Sequence, residues 1–208
     1  MISIITCFRL PYVDPSDTAL IRKIDGAFMY WEIVRRLFCL DLVFINDHSE
    51  NFWLSRDYIY DMPGPKVDWN IGPAKNYGVS LAKGDKLLIT DMDHITYADF
   101  TALDNLALSG IYFRFPRKEA HNGVFRDIKI HKNTFLVSKK DFPGYDEDFC
   151  GNYGSDDIEL FYRMDRTCSP FVYKDGYAEV FVNDWPEVAL VRDKSVNKRK
   201  LFEKTGIK

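Results

Sequence analysis

The chain has 208 residues, 46% of them hydrophobic and 15% aromatic, with a formal net charge of −3 at pH 7. That length suits one domain, and so much apolar side chain excludes a disordered polymer. The mild acidity excludes broad electrostatic attraction to nucleic acid, no apolar run approaches the ~20 residues of a membrane span, and no basic-then-apolar leader opens the chain, so the sequence reads as a soluble, cytoplasmic protein.

Residues 2–8, ISIITCF, are β-branched and apolar and predict a buried first strand. Asp14 and Pro15 signal a helix start with Asp14 or Ser16 as the cap, and Leu20, Ile21, Ile24, Phe28, Trp31, Val34 and Phe38 then keep helical spacing. Residues 41–46, DLVFIN, predict a second strand, which makes a right-handed βαβ unit. Helical spacing resumes over 72–82, and KLLIT at 86–90 is a third strand running into Asp91-Met92-Asp93. Further on, the pattern predicts a helix over 97–108, a strand over 111–115 and strands of a smaller mixed sheet within 124–137. A helix over 156–164, a short strand over 179–182 and a basic terminal helix over 194–204 complete the series. The economical arrangement is one α/β domain over 1–190 followed by a basic helix or tail over 191–208. Cys7, Cys39, Cys150 and Cys168 form no CxxC pair, so they are expected to be buried free thiols and no structural zinc site is expected.

Two constellations carry chemistry. Asp91 and Asp93 leave an apolar strand at its carboxyl end, where ligands gather in open α/β sheets. Carboxylates so close repel one another, and a hard divalent cation, Mg²⁺ or Mn²⁺, relieves that repulsion. A turn whose acids cap the next helix is the plain alternative. His94 is expected to be a turn residue with its ring in solvent. In the second constellation, SDDIELFYR opens a helix on Asp156 and Asp157, where a carboxylate can take a proton or simply favour the positive helix end.

The run WNIGPAKNYGVSLAKGDKLLITDMDHI, with FPGYDEDFCGNYGSDDIELFYR, resembles nucleotide-sugar glycosyltransferases of the GT-A fold, particularly the inverting families that include the β-1,4-galactosyltransferases. The resemblance spans residues 2–185. It implies a Rossmann-like domain with a mixed, mostly parallel central sheet flanked by helices, and a smaller sheet on the acceptor side. It implies metal contacts from Asp91 and Asp93, and a donor site of Thr6, Phe8, Arg9, Asp47, Lys75, Asn76 and Asp91. An acceptor site of Asp146, Glu147, Tyr153, Gly154 and Asp156 follows, with Asp157 as general base and Arg163 on the same helix. The implied donor is a nucleoside-diphosphate sugar, most often a UDP-sugar, and the acceptor a glycan or small molecule, with a modified DNA base as a further possibility. Two departures stand out. Asp156 occupies a place where the family usually has Glu, and no His follows residue 157, so Asn183 or Asp184 stands in as a further metal ligand or water and phosphate oxygens complete the shell.

Competing readings are a haloacid-dehalogenase-like phosphatase, to which DMDHIT is superficially similar, and a catalytically silent carbohydrate-binding protein on the same fold. In the basic tail, Arg192, Lys194, Lys198, Arg199, Lys200, Lys204 and Lys208 form a cluster for which a solvated helix face competes with an acceptor-binding surface for a phosphate-rich polymer or a membrane contact.

Overall fold

The computed structural model describes every residue except 11, 15, 50–55, 122–123, 129, 131–132, 181–192 and 208. Its centre is a seven-stranded sheet built from β1 (Ile2–Phe8), β2 (Asp41–Asn46), β3 (Ile59–Asp61), β4 (Lys86–Ile89), β6 (Ile111–Arg114), β9 (Phe135–Ser138) and β10 (Ser169–Val172). The spatial order is β10-β6-β9-β4-β1-β2-β3, parallel except at β9, which runs antiparallel to both β4 and β6. A second sheet holds β5 (His94–Tyr97), β11 (Tyr177–Val180), β7 (Arg117–His121) and β8 (Val124–Ile128) in that order.

Both faces of the central sheet are covered, which is why its strands are apolar throughout rather than alternating. Ile2, Ile4, Leu42, Phe44 and Leu88 point to one face, against α1 (Thr18–Phe38) and α3 (Phe100–Asp104). Ile5, Val43, Ile45, Leu87 and Ile89 point to the other, against α2 (Ile71–Leu81) and α4 (Asp156–Thr167). On the first face Phe28, Trp31 and Phe44 meet edge-on or tilted. On the second, α2 lies so close that a Cβ on Gly78 would stand 2.8 Å from the Ile5 side chain and 3.3 Å from Ile45. Pro73 is tolerated in α2 because it sits in the first turn, where its missing N–H has no helical partner anyway. The terminal helix α5 (Ser195–Thr205) packs on α4.

Several sequence expectations require correction. The cap of α1 is Asp17, whose carboxylate accepts from Leu20 N at 3.0 Å; Asp14 instead closes a local turn onto Ser16. The helix expected over 97–108 shrinks to α3, because β-branched Ile95 and Thr96 pair with β11 and Asp99 caps the chain only there. The strands of 124–137 divide between the two sheets, since apolar Phe135, Leu136 and Val137 fill the gap between β4 and β6. The last strand begins at Tyr177, and β3, β7 and β10 carried too little periodicity to be read. The cysteines are free, yet only Cys168 is buried; Cys39 is exposed as the left-handed cap of α1. Among the described residues no helix is long and apolar enough to cross a membrane.

Two glycines test the packing. Gly78→Val forces α2 off the sheet and is expected to cost about 1–3 kcal/mol in urea unfolding, the usual range for overpacking. Gly26, mid-helix in α1 with nothing within 4 Å of an added Cβ, gives the opposite sign: Gly26→Ala is expected to stabilise by about 0.5–1 kcal/mol.

Candidate active site

Because β1, β2 and β4 are parallel, Arg9, Asp47 and Asp91 emerge together beyond the carboxyl ends of these strands. The ladder persists one step past each strand, through Asp47 N to Phe8 O at 2.8 Å and Thr90 N to Ile5 O at 3.0 Å. Beyond β4 the chain turns tightly, His94 N donating to Asp91 O at 3.0 Å. Met92 drops into the apolar core, and candidate ligand atoms of Asp91, Asp93 and His94 lie within 4.8 Å of one another.

His94 overturns its expectation. It is 2% exposed, its Nδ1 2.8 Å from the Thr134 hydroxyl, and its Nε2 is 3.7 Å from Asp93 Oδ1. Pairing with β11 pulls His94 into a strand and out of solvent. Thr134 also contacts the Thr90 hydroxyl at 3.0 Å, so one buried hydroxyl orients the imidazole from β9's side of the sheet.

Asp91 is held from two directions. Lys75, 3% exposed on α2, places Nζ 2.6 Å from Asp91 Oδ1, and Asn133 donates its amide to Oδ2. Burial alone would raise the Asp91 carboxyl, but Lys75 and then His94 outweigh it and hold it below the usual carboxylate range. Burial likewise works against the Lys75 ammonium, and Asp91 more than restores it. Asp93 receives no comparable compensation: burial first, then the charge on Asp91, push it up to about 7. Two carboxylates and an imidazole, with one acid short of positive charge, fit a hard divalent cation.

A cleft of about 720 Å³ opens beside Asp91. Lys75, Asn133 and Tyr145 line it with Asp91, and Asp156 and Asp157 enter from the first turn of α4. Trp69 and Tyr153, ring centroids 4.3 Å apart, form an aromatic wall. The turn into α4 is sharp: Gly154 and Ser155 both adopt left-handed backbone, φ +77° and +74°. Asp156 is pushed up to about 6, by burial first and then by Asp157. Asp91 at the end of β4 and the α4 acids, far apart in sequence, thus share one cavity.

Other expected site residues have other partners. Arg9 grips Asp47, Nη2 to Oδ2 at 2.6 Å and Nε to the Asp47 carbonyl at 2.9 Å, and Asp47 also meets Asn70 and His48. Thr6 is buried, and Phe8 packs edge-on against Phe28 in the core. Asn76 braces the acceptor-side turn, accepting from Tyr145 N at 2.7 Å and donating to Tyr145 O and Glu147 Oε1, both at 2.9 Å. Arg163 ties Glu159 to the carbonyls of Pro143 and Gly144. Asp146 lines the cleft while paired with Lys204. Asn183 and Asp184 lie outside the described residues. Asn133 was not expected at the cleft, being too distant in the chain for any local pattern to associate it with Asp91; the basic tail, for which an acceptor-binding surface was one of the competing expectations, brings Lys194, the cap of α5, with Lys198 and Arg199 to the cleft.

The sequence matches no family model and no curated protein. Its fold is shared with solved glycosyltransferases. GalNAc-T7 with UDP, GalNAc and Mn²⁺ aligns with TM-score 0.59 and 11% identity, over 89% of this chain and 45% of that one. Drosophila β1,4-galactosyltransferase 7 with xylobiose gives TM-score 0.56 and 13% identity, over 95% and 79%. Residues 1–349 of S. aureus TarS with UDP-GlcNAc give 0.60 and 12%, over 91% and 61%. The chain therefore has the GT-A fold of nucleotide-sugar glycosyltransferases, while spanning about half the length of the first of these relatives and three fifths of the third.

Asp156 supplies a pH test. Its native carboxyl holds a proton more tightly than the unfolded chain, where 3.8 is the ordinary value. Stability from that proton is complete below about 3.8 and is lost as pH rises through about 6. Asp156→Asn, which mimics the neutral acid, is expected to stabilise by up to about 3 kcal/mol in urea unfolding at pH 8. The advantage should vanish near pH 4, and an equal effect at both values would refute the assignment.

Proposed function

We propose that this protein is a metal-dependent inverting glycosyltransferase, moving a sugar from a nucleoside-diphosphate sugar, with UDP as the expected nucleotide, to an acceptor hydroxyl. One observation carries the reading: Asp91, at the end of β4, and Asp156-Asp157, at the start of α4, face a single cleft large enough for a nucleotide sugar. UDP or UDP-GlcNAc in two of the relatives supports the choice of donor.

Asp91, Asp93 and His94 would hold a divalent cation, Mn²⁺ or Mg²⁺, which neutralises charge on a departing diphosphate as a Lewis acid. Lys75 keeps Asp91 ionised and oriented, and its ammonium adds a second positive charge at the cleft. Asp157 takes the proton of the attacking acceptor hydroxyl, and Asp156 binds a neighbouring hydroxyl of the same acceptor. Inversion requires the attacking and leaving oxygens on opposite faces of the anomeric carbon. Separate acids serving each side suit that requirement. The Trp69–Tyr153 wall offers an apolar face for a sugar ring.

A specific observation keeps a second assignment of the base in view. Asp156, with its carboxyl near 6, is also tuned to accept a proton at neutral pH. The phosphatase alternative lacks support from the fold, since the Asp91 strand is the fourth in the chain and the structural relatives are glycosyltransferases. A silent binding protein on this fold differs from a transferase in one measurable way, the release of nucleoside diphosphate.

Screening UDP- and GDP-sugars with Mn²⁺ is expected to show slow donor hydrolysis that EDTA abolishes. In transfer assays Asp157→Asn should lower kcat by about 10²–10⁴-fold with the donor KM little changed. Asp156→Asn should chiefly raise the acceptor KM. A kcat loss confined to Asp156→Asn would exchange the two roles, and no nucleotide release from any donor would leave the binding protein as the better description.

A further inference from the structure

Helix α5 is fixed to the acceptor side of the cleft by contacts that its basic composition conceals. Asn197, 0% exposed, donates its amide to the carbonyls of Phe149, Asn152 and Gly154 at 3.0, 2.8 and 2.8 Å. Lys200 donates to the Asp148 carbonyl, and Lys204 pairs with Asp146 and, at 2.7 Å, with Asp148. These contacts hold the loop that leads into Asp156 and Asp157. They also set which cations of α5 face the cleft.

The cations of the cleft then divide into two groups. Lys75 is held by Asp91 beside the candidate cation group, and Lys204 by Asp146 and Asp148. Lys194 lies with its ammonium 4.9 Å from the Tyr153 ring centroid, and Lys198 stands one helical turn further along the same face. Lys198 and Arg199, both exposed at the mouth, make no ion pair with any described residue. The donor's diphosphate already has Lys75 and the Asp91–Asp93–His94 group in the reading above, so the α5 cations are surplus to it. At the floor, Asp156 and Asp157 repel an anion; at the rim, Lys194, Lys198 and Arg199 attract one. A molecule matching both carries a hydroxyl at one end and a negative group at the other.

We propose that the acceptor bears a phosphate group, held at the rim by Lys198 and Arg199 with help from Lys194, while its hydroxyl reaches Asp157. This rests on the glycosyl-transfer reading and adds the acceptor's chemical class. Arg offers a planar pair of donors to phosphate oxygens and Lys a mobile point charge, a combination suited to a dianion. The net charge of −3 confines the attraction to this rim, which suits one phosphate better than a long polyanion.

Calorimetric titration of the full chain tests this with glycerol 3-phosphate, with glycerol as the uncharged control, in the presence and absence of UDP and Mg²⁺. The wild type should bind glycerol 3-phosphate and not glycerol, with or without nucleotide. Lys198→Ala/Arg199→Ala should weaken that binding at least tenfold, keep UDP affinity within twofold, and leave the melting temperature unchanged because both side chains are exposed. Undetectable binding by the wild type, or unchanged binding by the double variant, overturns the proposal. So does a parallel loss of UDP affinity, which would assign these cations to the donor diphosphate. A single-stranded oligonucleotide binding about a hundredfold tighter than glycerol 3-phosphate, and lost in the same variant, overturns the single-phosphate assignment in favour of a polyanion surface. Failure of the glycosyl-transfer reading is seen separately, as absence of nucleoside diphosphate release from any donor, and the glycerol 3-phosphate titration still decides the rim.

Discussion

The ion pair between Lys75 and Asp91 is the contact on which the cleft depends. An ammonium removed from water on α2 is tolerated only because a carboxylate waits at the end of β4, and that carboxylate stays ionised only because the ammonium is there. Removing Asp91 strands a buried ammonium, a far larger penalty than losing a surface salt bridge, whereas removing Lys75 leaves a half-buried carboxylate still bonded to Asn133. The pair also joins two layers, fixing α2 against the strand whose end carries the acidic turn. Gly78, one turn beyond Lys75 on α2, permits the close approach that brings Lys75 within reach.

Around that pair, charges are distributed unequally. Asp91 is satisfied, Asp93 is not, and the difference gives the turn an appetite for a cation rather than for another ammonium. At the start of α4, half-buried Asp156 stands beside Asp157 and holds its proton more tightly than an ordinary carboxyl. Placing acids at a helix N-terminus lowers the cost of gathering so many carboxylates, because the exposed N–H groups of the first turn favour negative charge. The arrangement trades some stability at neutral pH for groups that can exchange protons and hold metal, as expected where function competes with folding.

The second structural theme is backbone bracing by amides. Asn76 from α2 and Asn197 from α5 each satisfy main-chain groups of the loop between β9 and α4, from opposite ends. With Arg163 closing on Pro143 and Gly144, a loop whose regular structure is two short 3₁₀ turns becomes a braced mount for Asp156 and Asp157. Asn76, which the linear pattern placed at the donor, and Arg163 make contacts that brace the acceptor-side loop. Catalytic geometry needs such support, because small displacements of a reacting group cost rate steeply.

The sequence alone determined the apolar strands ending in Asp47 and Asp91, the helices bearing Lys75 and Asp157, and the α/β class, because buried strands and amphipathic helices write their periods locally. It also carried the two acidic turns, whose residue types announce their chemistry. Only the tertiary structure decided that His94 turns inward, that Asn133 reaches Asp91, that β9 enters the central sheet, and that α5 walls the cleft. Each of those facts is a pairing between segments tens of residues apart. A side chain's charge, burial and partner are set by what folding brings beside it, and no local pattern records that neighbour.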